Sequence, residues 1–157
     1  MTSQSMPAQP ETPLTRYFGR IRPISTEATS LHREWTQKLA HLVASLEADG
    51  LEQVLDRAEH AGLFFDLSFA RCHRDMVEVQ PPAPAERYHD LWLCWLDHMM
   101  RASQALCEAA GQRDRGLLGR CRAILTDARS ILQDLSAEAE ELERVLVAER
   151  QGTRFAA

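Results

Sequence analysis

Glu86 and His89 stand in a Glu-x-x-His arrangement. On an α-helix that spacing puts a carboxylate and an imidazole on one face, where both can reach a single metal ion. Cys94 and His98, four residues apart, also share a face. Two ligands fall short of the four that a structural zinc site uses, and no nearby residue completes that set. The four cysteines, Cys72, Cys94, Cys107 and Cys121, show no CxxC spacing and fall inside helical patterns. In a reducing compartment they are expected to be free thiols acting as small apolar residues. There is no glycine-rich phosphate loop, no GxSxG elbow, and no phospho-accepting histidine followed by lysine and glycine. His32, His41 and His60 lie singly on helices and read as surface histidines. No motif names a reaction, so the reading leans away from an enzyme.

These residues are positioned by helices. Residues 1–23 carry Pro7, Pro10, Pro13 and Pro23 and are expected to form an irregular arm. Within it, Tyr17-Phe18-Gly19-Arg20-Ile21-Arg22 is both apolar and basic, suited to dock on its own bundle or on a partner, with self-docking favoured because exposed aromatics are usually covered. Residues 24–150 read as four helices. The first runs from Thr26 to about Asp49, with Leu31, Trp35, Leu39, Leu42 and Leu46 in one stripe and Asp49-Gly50 as its stop. The second runs from Leu51 to about Val79. Its segment Leu63 to Phe69 holds more apolar residues than one face can use. Pro81, Pro82 and Pro84 break the chain, and the third helix spans about Ala85 to Ala110. Gly111 to Gly116 is the next turn, with Asp114 a candidate cap. The fourth helix, about Leu117 to Arg150, has a heptad-like, coiled-coil stripe that Glu138 interrupts. Gln151 to Ala157 is expected to fray. Four long helices joined by short turns predict an all-α, antiparallel up-down-up-down four-helix bundle.

In such a bundle, residues equally far from a turn share a level, because each helical residue rises about 1.5 Å. The count gathers Trp35, Phe65, Trp95 and Met99 near mid-bundle, read as an aromatic core in preference to a pocket for a haem or a lipid. It brings Cys107 near Cys121 across the third turn. It also places Glu27, His32, Cys72, His73, Glu138 and Glu141 in the layer of Glu86 and His89. A metal site there, for iron or another transition metal, draws on Glu86, His89, Glu138 and His32. Ferritin-like di-iron bundles use Glu-x-x-His pairs, but they need two such pairs and two further glutamates, and this chain has one pair. A solvated, charged bundle end is the favoured reading, with no cofactor.

The bulk properties exclude some classes. The chain of 157 residues suits one domain, and its 45% hydrophobic and 26% charged content is that of a globular protein. A net charge of -5 argues against general nucleic-acid binding. No apolar run is long enough to span a bilayer, and the polar start of the chain lacks a signal-type segment, so a cytoplasmic location is expected. The Ala, Leu and Arg bias suggests a GC-rich bacterial genome. Two functions fit. The first, favoured, is a non-enzymatic protein that binds a protein partner or forms a homo-oligomer, through Leu63, Phe64 and Leu67 and through Tyr17 and Phe18. The alternative is a metal- or ligand-binding bundle of ferritin-like or haem type.

Overall fold

Thr12 opens the first helix: its hydroxyl accepts the backbone N–H of Thr15 at 3.2 Å, and its carbonyl accepts that of Arg16 at 3.0 Å. Pro13 takes the first helical position, where no N–H is required. In the computed structural model, which describes residues 11–48, 50–113 and 116–155, α1 then runs Pro13–Ala48. The irregular arm expected over residues 1–23 is therefore corrected from Pro13 onward, and Pro7 and Pro10 lie outside the described residues. Pro23 sits inside α1. It deprives the Gly19 carbonyl of a donor, but both residues are on the exposed side of the helix, where water replaces the lost bond. On the opposite side Leu14, Tyr17, Ile21, Ala28, Leu31 and Trp35 are buried at three- to seven-residue steps, one continuous stripe across the proline.

Gly50, at φ +81°, precedes α2 (Leu51–Val77), and only glycine adopts that conformation without strain. After Pro81 and Pro82, a single 3-10 turn at Ala83–Ala85, with Pro84 inside it, leads into α3 (Glu86–Gln112). Gly111 lies within this helix, so the third turn is shorter than expected. Arg113 closes α3 in the left-handed region (φ 52°, ψ 32°) with its N–H bonded to the Ala109 and Ala110 carbonyls. The expected cap, Asp114, lies outside the described residues. The last helix, α4, runs Gly116–Phe155 and includes most of the expected frayed tail. Extending a formed helix adds one hydrogen bond per residue fixed, and no proline stops it there.

The four helices pack as an antiparallel all-α bundle. Trp35 meets Phe65, Glu27 meets Arg71, Glu52 meets Arg113 and Asp66 meets Gln104, so partners run in opposite senses along neighbouring helices. The α2–α3 pair is the most closely packed. Gly62 explains the approach: a Cβ there would stand 2.8 Å from the Ser103 carbonyl oxygen and 3.0 Å from the Cys107 nitrogen. On α4, Cys121, Ala128, Leu135 and Leu142 are buried at seven-residue steps, while Ile124, Ile131 and Val145 of the expected stripe are half-buried beside them. Glu138, half-buried on the same side, is 3.4 Å from the Arg87 guanidinium of α3, which answers its charge. Among the described residues, no helix is long and apolar enough to cross a membrane.

Candidate interaction surface

The four candidate metal ligands do not converge. His89 is buried, and its Nδ1 lies 3.2 Å from the Tyr17 hydroxyl. Burial holds the Tyr17 phenol above its ordinary range, with Tyr88 and Asp90 adding to the effect, and burial holds the His89 imidazole below its own. Both groups are thus neutral, and the Tyr17 hydroxyl and His89 Nδ1 share one buried hydrogen bond. Glu86 is exposed, and Glu138 faces Arg87. His32 packs edge-on against Trp95 at 5.6 Å between ring centroids, which is six residues, about 9 Å of helix rise, from His89. Burial, and then the Arg129 charge, lower the affinity of His32 for a proton. Among the described residues, no three His, Cys, Asp or Glu side chains are grouped closely enough to hold a metal ion. The level count set His32 in the layer of His89, whereas His32 lies nearly two turns away at Trp95, and the count could not give the rotation of each residue about its helix axis.

Three of the thiols are similarly quiet. Burial pushes Cys72 and Cys121 up to about 11 and raises Cys107 as well. A thiol held protonated is a poor nucleophile and a poor metal ligand. Cys121 donates to the Ala102 carbonyl and Cys107 to the Glu59 carbonyl.

The mid-bundle aromatics fill their own volume. Trp92 and Trp95 cross at 90° with centroids 5.5 Å apart, Trp95 meets Phe69 at 6.1 Å, Phe69 stacks on Phe65, and Phe65 meets Trp35 at 6.4 Å. The Trp35 indole N–H donates to Ser103 Oγ at 2.9 Å, and Ser103 in turn donates to the Met99 carbonyl. Among the described residues, neither Trp92 nor Trp95 finds an acceptor for its indole N–H. Rings in edge-to-face contact form a core, as expected for Trp35, Phe65, Trp95 and Met99, all of them buried.

Tyr17 and Phe18 belong to this interior and not to a docking surface. Tyr17 is buried against His89, and Phe18 is half-buried against Tyr88 at 5.9 Å. Self-docking was the favoured reading of their segment. Its means is a helix, which the prolines had concealed.

Leu63, Phe64 and Leu67 are different. They are 52, 56 and 71% exposed, side by side on the outer face of α2. Phe64 meets Phe65 in a T-shaped contact at 5.1 Å, so the exposed ring rests on a buried one. Beside it a groove of about 570 Å³ opens between α1 and α2, with Phe64, Phe65, Asp56 and His60 on one wall and Glu34 and Lys38 on the other. The apolar excess read over Leu63 to Phe69 thus divides cleanly: Phe65 and Phe69 face in, and the other three face out. The apolar run stands out in the sequence, whereas the charged residues become its border only once the structure sets them beside it. Comparison with family models, with curated proteins and with solved structures finds no match for this chain.

Proposed function

We propose that this bundle is a non-enzymatic interaction protein that docks another polypeptide on the outer face of α2. The observation that carries the proposal is the exposure of three adjacent large apolar side chains, Leu63, Phe64 and Leu67; among the described residues, the other exposed large apolar side chains, Val77 and Val147, stand apart from them. Fully burying such a residue is worth about 1.5–3 kcal/mol, and these three forgo the half or more of it that their exposed surface represents. Contiguous exposed apolar surface of this kind marks interaction sites. The groove beside Phe64 extends the same surface and has charged residues at its rim, the usual arrangement of an apolar centre with a polar border.

The experiment is site-specific photo-crosslinking in the cell of origin. A photoreactive amino acid at position 67 is expected to capture a polypeptide, while the same probe at Glu140, on the exposed side of α4, captures none. Equal or absent capture at the two positions overturns the proposal.

A further inference from the structure

The outer face of α2 has a pattern of its own. Asp56, His60, Leu63, Leu67, Ala70 and Arg74 follow one another at alternating four- and three-residue steps, and all six are exposed. That is a heptad seam, the spacing by which one helix packs along another. It lies opposite the seam that α2 gives to its own bundle. Its charges are also ordered. Asp56 and Glu59 stand on the N-terminal side of the two leucines, and Arg71 and Arg74 stand on the C-terminal side.

We infer that the occupant of this seam is a second copy of the chain, with the two α2 helices antiparallel about a two-fold axis level with Phe65. This rests on the interaction reading above and names its partner. The axis places Leu63 against Leu67 of the second copy, twice by symmetry, and His60 against Ala70. Asp56 then meets Arg74 of the second copy, and Glu59 meets its Arg71, again each twice. The two acids on and beside the seam, Asp56 and Glu59, thus face bases, as a self-complementary isologous interface requires. A parallel pair would instead set Asp56 against Asp56 and Arg74 against Arg74, and like charges at such positions select against that arrangement. The existing partners of these arginines do not block the contact. Arg71 pairs with Glu27 and Arg74 with Asp75 at exposed positions, where such bridges hold weakly. At the ends of the seam Glu52 would approach Glu78 of the second copy, but Arg113, 2.6 Å from Glu52, offsets that charge.

Sedimentation equilibrium of the full chain tests the inference, with circular dichroism to confirm that each variant keeps its helices. The wild type is expected to be a dimer. Asp56→Arg and Arg74→Asp are each expected to weaken dimerisation by about tenfold or more, because two like-charged contacts replace two opposite ones. The double variant D56R/R74D restores opposite charges across the axis and is expected to return to within a few-fold of the wild type. A dimer insensitive to both single changes, or a double variant no better than either, overturns the antiparallel register. A wild type that stays monomeric up to millimolar concentration overturns the dimer. In that case capture of a different polypeptide by the probe at position 67 leaves the interaction reading standing, and capture of nothing removes both.

Discussion

The inner and outer faces of α2 use the same residue types to opposite ends. Inward, Phe65, Phe69, Cys72 and Met76 are closed over by α1 and α3, and Gly62 lets the α3 backbone come into contact. Outward, Leu63, Phe64 and Leu67 are as apolar but stay open, bordered by acids on one side and bases on the other. The difference teaches that apolarity alone does not separate a folding residue from a binding one. What separates them is whether the chain itself supplies the cover. The inner face should therefore control stability, and the outer face should control association.

The strongest test of that division is Phe69→Ala. Phe69 is fully buried between Phe65 and Trp95, with no exposed edge to relax toward. Urea denaturation should show a loss of about 3–5 kcal/mol, the transfer and cavity cost of a buried phenylalanine. A loss under about 1 kcal/mol would mean that the inner face is loosely packed and that the contrast with the outer face is false.

Gly62→Ala sharpens the same point at the backbone. Alanine would gain about 1 kcal/mol of helix propensity over glycine. Against that, its Cβ would meet the Ser103 carbonyl oxygen at 2.8 Å and the Cys107 nitrogen at 3.0 Å, backbone atoms that cannot swing aside. Overpacking costs about 1–3 kcal/mol. The strain is expected to prevail, so the variant should unfold at lower urea concentration than the wild type. A gain in stability would show that α2 and α3 can slide apart.

The helices and the identity of the core were open to reading because both rest on local periodicity. Trp35, Phe65, Trp95 and Met99 were gathered by counting rise from the turns, and the structure buries all four. The start of α1 departs from the expected arm because Pro13, a breaker inside a helix, is a starter at its first position. Thr12-Pro13 followed by Leu14, Tyr17 and Ile21 is a capped helix start, and that spacing was present in the sequence. The expected arm also hid the Tyr17–His89 pair. The expected metal layer does not form because His32 sits nearly two turns from His89 and because height along a helix says nothing of rotation about it. The outer seam of α2 was half seen: its leucines stood out, but its charge order gains meaning only once the buried side is known.

The Tyr17–His89 pair belongs to the inner region and gives a pH test of it. Burial lowers the folded imidazole pKa below its ordinary value of 6.5, so the unfolded chain binds the extra proton more readily. The contribution of His89 to stability is then complete above that value and is lost as pH falls through 6.5 toward the folded pKa. His32, lowered by burial and by Arg129, acts in the same direction. Urea midpoints at about pH 7.5 and about pH 5.5 should differ in the wild type, and His89→Gln should reduce that difference while lowering the midpoint at the higher pH. A slope unchanged by His89→Gln would show that this pair does not sense protons.

The smallest effect is expected on the outer face, and it is the one that completes the comparison. Leu67 is 71% exposed, so Leu67→Gln removes little packing from the protomer. At high dilution its unfolding free energy should stay within about 0.5 kcal/mol of the wild type, the range for surface changes away from special features. At high protein concentration the two should diverge. Association stabilises only the folded chain, so the wild-type melting temperature should rise with concentration while that of the variant stays flat. If Leu67→Gln instead destabilised the protein equally at every concentration, Leu67 would be a folding residue, and α2 would have one functional face and not two.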